Sequence, residues 1–465
     1  MRPRIVVGAL VLGMVVSVAL AFRPVEEQAA AAEPQRYALS VPAWSGRRLP
    51  DDLAGAVGSM RLPQEVERAV SGTDACFLLE AGGQRVIADD ARTPLVPAST
   101  QKLLTGVATL AVLGPGHRFE TRAVVSGPGD TVDRLWIVGG GDPVLTTVPY
   151  AAHLRRQDLT RDRPVSSLEA LADAVVGSGI RHVVNGVVGD PSRHVDAATL
   201  ASWKPDYIQD RDITYLSALT VNGGFAAWQP ATQTAPDPAV LAASELTRLL
   251  TERGVTVGGA PARGAAPADG RDVGSVLSPT VAELVSAMVR ESSNLMAELF
   301  VREIGLARSG EATTAAGTAA MEEALADLGI PMEGVELADG SGLSRSNRAT
   351  CAATFAALRV ARQARFRAVD DGLAVAGRSG TLRRRLVGTP VEGRLRAKTG
   401  SLDGVVGLVG VFERRPELRF AMLANGSFGY VRSVQIQEAV AGVLARYPFS
   451  ADPAVLAPPP ARRVR

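Results

Sequence analysis

Cysteine and histidine are scarce in this sequence of 465 residues, which contains two cysteines and four histidines. The two cysteines, Cys76 and Cys351, exclude a disulfide-rich scaffold and a four-cysteine zinc site. The histidines form no pair with metal-ligand spacing such as His-x-x-x-His. The sequence therefore predicts neither a metal site nor a cofactor. It leaves open whether the cysteines pair in an oxidising compartment or remain buried thiols.

Lysine is also rare. Of the 50 basic residues only three are lysines, at positions 102, 204 and 398, and arginine supplies the rest. Arginine does not give up its proton in a protein, whereas a buried lysine can. The positions at which lysine occurs are therefore candidates for a site that needs a neutral amine.

The charges are nearly balanced, with 50 basic and 48 acidic residues and a net charge of +2. This balance does not favour a nucleic-acid-binding protein, whose basic residues cluster on one face. Hydrophobic residues make up 46% of the chain and charged residues 21%, which excludes global disorder and a coiled-coil rod. The length predicts about two or three domains with packed cores.

An export signal is predicted at the N-terminus. Arg2 and Arg4 precede an apolar run over residues 5–22, and Ala-Leu-Ala at 19–21 has the small-x-small pattern of a cleavage site. The alternative is an uncleaved membrane anchor, because a run of this length can just span a bilayer. Either interpretation places the rest of the chain outside the cytoplasm, in the cell envelope or secreted.

Apolar periodicity predicts a mixture of strands and helices. Strands are predicted at 75–80, 84–88, 122–125, 135–138, 182–188, 395–399, 405–413 and 418–425. Helices are predicted from Ser99 to the Gly-Pro pair at 114–115, and at 168–176, 281–289, 295–304 and 431–447. The middle of the chain thus contains one clear helix among short β-type runs. This order favours one α/β domain interrupted by an insertion.

Three short motifs carry candidate chemistry. Ser99 and Lys102 are three residues apart at the start of a predicted helix, so that one helix face presents a hydroxyl and a candidate base. Ser-Ser-Asn at 292–294 lies between two predicted helices, and Lys-Thr-Gly at 398–400 ends a predicted strand. Together they match the Ser-x-x-Lys, Ser-x-Asn and Lys-Thr-Gly set of β-lactamases and penicillin-binding proteins.

Each motif residue also has an ordinary structural explanation. Ser99 suits a helix N-cap, and Lys102 suits a solvated helix position. Asn294 suits a turn, and Lys398 suits an edge strand. However, two of the three lysines in an arginine-rich chain fall inside these motifs. This favours the functional interpretation, because lysine can supply a neutral amine and arginine cannot.

The chain resembles the class C low-molecular-weight penicillin-binding proteins, the D-alanyl-D-alanine carboxypeptidase/endopeptidase family typified by penicillin-binding protein 4. The resemblance covers residues 74–447 and rests on PASTQKLLT at 97–105, GGGDP at 139–143, SSNLMAE at 292–298, DGSGLSR at 339–345, SGTL at 379–382 and KTGS at 398–401. The long gap between Ser99 and Ser292 is typical of this family. Ser293 departs from the Asp or Asn often found there, which leaves the outer motif residues intact.

The resemblance implies an α/β (α+β) fold. A β-lactamase/transpeptidase-like catalytic domain, with an antiparallel sheet flanked by helices, is interrupted by a large β-rich insertion. The chain is accordingly divided into a signal peptide or membrane anchor (1–21), a linker (22–62), a first catalytic segment (63–119), inserted accessory domains (120–270), a second catalytic segment (271–448) and a C-terminal tail (449–465).

The resemblance also implies acyl transfer through a covalent intermediate. Ser99 is expected to attack the D-Ala-D-Ala peptide bond, Lys102 to accept its proton, and Ser292 to relay a proton to the departing amine. Lys102 must then be neutral near pH 7, which requires burial and the nearby charge of Lys398 to lower its pKa. The backbone N–H groups of Ser99 and Ser401 are expected to form the oxyanion hole.

The remaining motif residues are implied to bind substrate. Asn294 is expected to hold the peptide amide, while Lys398, kept charged, faces the terminal carboxylate together with Thr399 and Ser401. Gly400 is expected to leave room for the substrate along the strand. The implied partners are a peptidoglycan stem peptide ending in D-Ala-D-Ala and β-lactams as covalent inhibitors, with no nucleic acid.

Two other functions are compatible with these motifs. A β-lactamase-like hydrolase needs an acidic residue for fast deacylation, and the middle segment resembles no such Glu-bearing loop. A catalytically inert peptidoglycan-binding envelope protein does not need Ser99, Lys102 and Lys398. The preferred interpretation is therefore a penicillin-sensitive serine D-Ala-D-Ala carboxypeptidase/endopeptidase. The sequence leaves open the balance of these two activities and the oligomeric state.

Overall fold

A computed structural model describes residues 60–195 and 197–448. The predicted signal peptide or anchor at 1–21, most of the linker at 22–62, and the tail at 449–465 lie outside these residues. None of the helices within the described ranges is long and apolar enough to cross a membrane.

The described chain mixes helices with mostly short strands. The helices are α1 (60–69), α2 (Lys102–Val112), α3 (Val148–Arg156), α4 (Leu168–Gly177), α5 (Pro238–Glu252), α6 (Val281–Glu291), α7 (Asn294–Ser309), α8 (Thr314–Asp327), α9 (Cys351–Val360), α10 (Arg367–Asp371) and α11 (Tyr430–Arg446). The strands are β1 (Asp74–Ala81), β2 (Gln84–Asp89), β3 (Glu120–Val125), β4 (Thr131–Val132), β5 (Leu135–Val138), β6 (Leu145–Thr146), β7 (Ser166–Ser167), β8 (His182–Val183), β9 (Val187–Asp190), β10 (Phe225–Ala227), β11 (Gln233–Thr234), β12 (Thr256–Val257), β13 (Ala262–Arg263), β14 (Arg271–Leu277), β15 (Ala374–Val375), β16 (Leu395–Leu402), β17 (Val405–Phe412) and β18 (Leu418–Asn425).

The largest sheet joins the two ends of the described chain. Its strand order is β15-β16-β17-β18-β1-β2, and every neighbouring pair is antiparallel. β1 pairs with β18 along its whole length, from Asp74 opposite Asn425 to Ala81 opposite Leu418. The predicted β1–β2 hairpin and the predicted C-terminal meander are confirmed, and the β1–β18 pairing makes them one sheet.

Helices cover both faces of this sheet. On one face, α2, α6, α7, α8 and α9 form an apolar core with sheet residues such as Leu78 and Val409. On the other face, α1 and α11 pack against Phe77 and Leu408. All eight residues of β17 are buried, which explains its nearly continuous apolar sequence. The predicted antiparallel sheet flanked by helices is confirmed.

A disulfide bond ties this sheet to the helical layer. Cys76 on β1 and Cys351 at the start of α9 are paired, and both are buried. The bond links positions 275 residues apart. Cross-linking a long loop restricts the unfolded chain and typically stabilises a fold by about 2–4 kcal/mol.

The middle segment forms its own sheets. A mixed five-stranded sheet, in the order β13-β9-β5-β3-β14, packs on α4 and α5 around buried residues such as Leu171 and Leu246. A parallel sheet of β12, β8 and β4 and the pairs β6–β7 and β10–β11 accompany it.

Two expectations for the middle segment are wrong. The run at 182–188 is not one strand, because Gly186, with φ +90°, turns the chain between β8 and β9, which belong to different sheets. The described part of this segment also contains α3 and α5 besides the predicted α4. The start of α5 carries a readable signal, since the Asp237 side chain caps it and Pro238 occupies its first turn.

The limits of the insertion stay a prediction. β14 pairs with β3, so that the sheet of the middle segment extends past the predicted boundary at residue 270. We propose that the chain returns to the catalytic part between β14 and α6, where Thr280 and Glu283 form a capping box.

Candidate active site

The turn that carries Ser99 leads directly into α2. Residues Ala98–Gln101 form a 3-10 turn, and Lys102 begins the α-helix. Ala98 has φ +46°, in the left-handed region that residues with a side chain rarely adopt, and it is fully buried. Gly342 packs on it so closely that a side chain there would collide with the Ala98 carbonyl. Backbone strain held by its surroundings in this way is typical of functional sites.

The side chain of Lys102 is fully buried beside Ser99. Its Nζ lies 2.8 Å from Ser99 Oγ, 2.7 Å from Asn294 Oδ1 and 2.6 Å from the carbonyl oxygen of Ser341. Burial lowers the pKa of Lys102 from 10.5 to about 7. Near pH 7 a large fraction of this amine is therefore neutral and able to accept a proton.

Two buried acids near Lys102, Glu298 and Asp339, were not assigned a role from the sequence. The charge of Asp339 opposes burial and raises the pKa of Lys102, and the charge of Glu298 does so once that carboxyl group is ionised. Burial, and then the charge of Asp339, raises the pKa of Glu298 to about 8. Glu298 Oε1 accepts hydrogen bonds from the N–H groups of Gly340 at 3.0 Å and Ser341 at 2.7 Å, and so holds the loop that contacts Lys102. Both acids lie in stretches that carry the resemblance, but their spacing does not indicate that they approach Lys102.

Ser292 and Asn294 flank the break between α6 and α7. Ser292 caps the end of α6 with φ +61°, a left-handed position that usually takes glycine. Asn294 Nδ2 donates to the carbonyl oxygen of Asp212 at 2.7 Å, while its Oδ1 faces Lys102. Because an amide has one donor end and one acceptor end, the contact with Asp212 determines which end faces Lys102.

Lys398, on β16, is the second fully buried lysine of the site. Its Nζ donates to Ser292 Oγ at 2.9 Å and to the carbonyl oxygen of Thr399 at 2.7 Å. Burial, followed by the charge of Lys102, lowers the pKa of Lys398 well below its usual 10.5. The expectation that Lys398 stays charged is not tested by this direction and stays a prediction.

The other predicted residues of β16 follow Lys398 along the strand. The Thr399 hydroxyl donates to the hydroxyl of Thr381 at 2.8 Å. A Cβ on Gly400 would lie 2.9 Å from the carbonyl oxygen of Pro97, so the protein's own packing requires glycine here. Ser401 is partly exposed next to it. Whether Gly400 also accommodates a substrate stays a prediction.

The structure brings the three motifs together as two adjoining groups. Hydrogen bonds link Ser99, Lys102 and Asn294 in one group, and Ser292 and Lys398 in the other. The groups lie near each other, since Ser292 of one group and Asn294 of the other are two residues apart. Residues far apart in the sequence therefore form one site, while their individual roles stay predictions.

The sequence matches the D-Ala-D-Ala carboxypeptidase 3 (S13) family over residues 65–236 and 225–447. The chain belongs to this family. The D-alanyl-D-alanine carboxypeptidase of Actinomadura sp. strain R39 is 30% identical to it, over 87% of this chain and 86% of the relative. Carboxypeptidase DacB of Mycolicibacterium smegmatis is 31% identical, over 84% of this chain and 82% of the relative. The predicted family resemblance is confirmed.

Solved structures show the same fold. Penicillin binding protein 4 (dacB) of Haemophilus influenzae superposes with a TM-score of 0.69 at 21% identity, covering 83% of this chain and 99% of that protein. A second structure of that protein, complexed with a β-lactam, gives a TM-score of 0.63, also at 21% identity, and covers 84% of this chain and 99% of its own. The S13-family chain thus has the predicted α/β fold of a penicillin-binding protein 4.

The middle segment of this S13-family protein contacts the loops of the site. Trp203 Nε1 donates to Asp339 Oδ2 at 2.9 Å, and the Tyr207 hydroxyl donates to the carbonyl oxygen of Leu343 at 3.3 Å. With the Asp212 carbonyl, these contacts fasten the middle segment to the loops that surround the buried lysine of α2. Sequence reasoning could not identify these partners, because no motif connects the middle segment to the catalytic residues.

Proposed function

We propose that this S13-family protein is a penicillin-sensitive serine D-Ala-D-Ala carboxypeptidase/endopeptidase that acts on peptidoglycan stem peptides through an acyl-enzyme on Ser99. The supporting observation is the 2.8 Å contact between Ser99 Oγ and buried Lys102, whose pKa is about 7. A serine hydroxyl needs an adjacent base to attack a peptide carbonyl, and a neutral lysine amine can be that base.

In the acylation step, Ser99 Oγ forms a bond to the carbonyl carbon of the D-Ala-D-Ala peptide bond and Lys102 takes its proton. The C–N bond then breaks, and the departing amine requires a proton. Ser292, which Lys398 holds by a hydrogen bond, gives its hydroxyl proton to the leaving amine. The Lys102 ammonium then reprotonates Ser292, so that Lys102 is neutral again and the proton removed from Ser99 is accounted for. Water then hydrolyses the ester, which restores the free hydroxyl of Ser99.

The substrate is held on both sides of the reacting bond. Asn294 takes the peptide amide of the acyl part, and Lys398, Thr399 and Ser401 take the terminal carboxylate. The backbone N–H groups of Ser99 and Ser401 stabilise the developing oxyanion, an effect typically worth about 3–4 kcal/mol per donor.

The terminal carboxylate supplies the charge that favours protonated Lys398. In the described structure, the acceptors of its amine are neutral, namely the Ser292 hydroxyl and the Thr399 carbonyl. An opposite charge within about 4–6 Å favours the charged form of a lysine. Substrate binding therefore raises the pKa of Lys398 and couples its protonation to carboxylate recognition.

The proposal also includes binding of β-lactams and export of the protein to the cell envelope. The β-lactam complex of the Haemophilus influenzae protein supports a β-lactam as a ligand here. We propose that penicillin acylates Ser99 and is released slowly. Export to the envelope is supported by the pattern of residues 1–21, since peptidoglycan lies outside the cytoplasm.

The test combines D-alanine release with covalent labelling. The purified protein should release D-alanine from a D-Ala-D-Ala peptide and bind fluorescent penicillin covalently, and Ser99→Ala should abolish both. Ser293→Ala, which removes only the N-cap hydroxyl of α7, is the matched control and should still be labelled. Stoichiometric, denaturation-resistant labelling of Ser99→Ala would place the nucleophile elsewhere. Rapid release of hydrolysed penicillin would favour a β-lactamase instead.

A further inference from the structure

A basic recess opens beside Thr381, which accepts the hydrogen bond from Thr399 in the site. It has a volume of about 500 Å³ and lies between residues 156–159 of the middle segment and residues 380–385, in the loop before β16. Its lining holds one acid, Asp158, and four arginines: Arg156, Arg383, Arg384 and Arg385.

Residues 156–159 form one wall of the recess. The chain that follows them is anchored next to the Ser-Ser-Asn motif at 292–294. Arg163 Nε lies 2.6 Å from Glu291 Oε2, and Glu291 directly precedes Ser292. Arg290 Nη2 donates to the carbonyl oxygen of Asp162 at 3.2 Å. The segment that follows α3 therefore runs from the recess to the end of α6, where the proposed proton relay lies.

The recess carries more positive charge than its own acid balances. Asp158 contacts Arg384 directly and lies 3.6 Å from both Arg383 and Arg161. One carboxylate is thus shared by three guanidinium groups, and the Arg384 side chain remains 83% exposed. An entering carboxylate would find donors in the planar geometry that suits it.

The recess lies at the leaving-group end of the proposed site. The proposed function places the substrate's terminal carboxylate at Lys398 and Thr399, and Thr381 joins Thr399 to the recess. A leaving D-alanine ends at that carboxylate and does not extend beyond it. The leaving strand of a cross-linked peptide is longer and bears additional carboxylates.

We propose that the recess is a second subsite, in which Arg383 and Arg384 bind carboxylates on an extended leaving strand and so favour cross-linked peptides. This inference rests on the proposed function. It leaves the chemistry unchanged, since the same amide bond breaks and the same proton reaches the leaving amine. It gives the middle segment a role in choosing between carboxypeptidase and endopeptidase substrates through Asp158, which competes for these arginines.

If these arginines have only a structural role, the variants should behave differently. If they only clamp the middle segment to the loop before β16, removal of Asp158 and removal of its arginine partners weaken the same contact. Both changes should then act in the same direction. In a subsite, Asp158 competes with the substrate for the same guanidinium groups, so the two changes should act in opposite directions.

The experiment compares two substrates with the same acyl part. One releases D-alanine, and the other releases a D-amino acid whose side chain continues into a carboxylate-bearing peptide. The measured quantity is the ratio of kcat/KM for the extended substrate to kcat/KM for the short one. The variants are Arg383→Gln with Arg384→Gln, and Asp158→Asn. The matched control is Arg68→Gln on α1, because Arg68 is also exposed and pairs with one acid, Glu65, at 2.6 Å.

We expect the double arginine variant to lower this ratio by roughly two- to thirtyfold, as for two exposed ion pairs. Asp158→Asn should raise the ratio, and added salt should reduce both effects. An unchanged ratio in the double variant, or a shift in the same direction in Asp158→Asn, would overturn the proposal. Thermal unfolding checks each variant, and the single Arg384→Gln replaces the double variant if the latter does not fold.

Failure of the inference can be told apart from failure of the proposed function. If the proposed function is wrong, the wild-type protein neither releases D-alanine nor labels with penicillin at Ser99. If only the subsite is wrong, the wild-type protein does both, and the substrate ratio is insensitive to the charges of the recess.

Discussion

The two buried lysines of the site differ in what surrounds them. Lys102 donates to three oxygens, and the charge of Asp339, followed by that of Glu298 when ionised, acts against its burial. Lys398 donates to a hydroxyl and a carbonyl oxygen, and the charge that acts on it is that of Lys102, which lowers its pKa further. Burial therefore destabilises both ammonium ions, but nearby acids oppose this effect only at Lys102.

This difference suits the two proposed roles, proton acceptor for Lys102 and carboxylate binding for Lys398. At Lys102 the protein itself brings the pKa close to neutrality, as a general base requires. At Lys398, burial and the charge of Lys102 both lower the pKa. An anionic ligand would therefore have a large effect on the pKa of Lys398. Two residues of the same type thus acquire different chemistry from their neighbours.

The largest expected effect comes from exchanging each lysine for arginine. Arginine keeps a positive charge but cannot accept a proton. Lys102→Arg should therefore lose acylation by about a hundred- to ten-thousandfold, as is typical when general base catalysis is removed. Lys398→Arg should lose less, mainly through weaker substrate capture. Second-order acylation rates with one penicillin measure both, after a check of folding. Equal or faster acylation by Lys102→Arg would contradict the assignment of the two roles.

The pH dependence of the acylation rate gives a second test of the two lysine roles. The pKa of Lys102 is about 7, and the proposed mechanism uses its neutral amine. Below pH 7 the acylation rate should rise about tenfold per pH unit and then level off above it. Burial lowers the pKa of Lys398, so its ammonium form is lost at a lower pH than in an exposed lysine, and capture of carboxylate-bearing ligands should weaken as the pH rises. A rate that is constant between pH 5 and pH 8 would exclude Lys102 as the base.

The protonation state of Glu298, the acid beside Lys102, can be tested through the pH dependence of protein stability. The carboxyl group of Glu298 has a pKa of 4.5 when exposed and about 8 when buried in the fold. Its stabilising contribution is therefore complete below pH 4.5 and is lost as the pH rises towards 8. Relative to wild type, Glu298→Gln should gain unfolding free energy between pH 5 and pH 8, by up to a few kcal/mol.

Chemical denaturation at both pH values measures this gain. Glu323→Gln, on the exposed side of α8, controls for the loss of one negative charge. If the difference between Glu298→Gln and wild type does not change with pH, the Glu298 carboxyl group is already ionised in the folded protein.

The smallest expected effect concerns the hydroxyl pair beside Lys398. Thr381→Val removes the acceptor of the Thr399 hydroxyl, a hydrogen bond typically worth about 1 kcal/mol. KM for a D-Ala-D-Ala peptide should rise by about fivefold at most, with kcat nearly unchanged, because the proposed role of Thr399 is to bind the carboxylate and not to take part in the chemistry. Steady-state kinetics measure this split, and Thr381→Ser should restore KM. A loss confined to kcat would argue against a positioning role for Thr381.

Local patterns predicted much of the fold and the motif residues. Alternation and helical periodicity indicated the β1–β2 hairpin, the C-terminal meander and the helices on either side of the Ser-x-Asn motif, all of which the structure contains. α5 was missed although Asp237 and Pro238 mark its start. The strand predicted at 182–188 failed because one glycine turns the chain, which the apolar pattern does not reveal.

The sequence alone determined the pairing of hydroxyl and amine at Ser99 and Lys102, since a spacing of three residues is a local property of a helix. It also indicated the family, through short motifs in a chain with only three lysines. Only the tertiary structure decided that Asp212 orients Asn294 and that Glu298 faces the loop beside Lys102. The physical reason is that burial and the proximity of charges set a pKa, and both depend on residues that lie far apart in the chain.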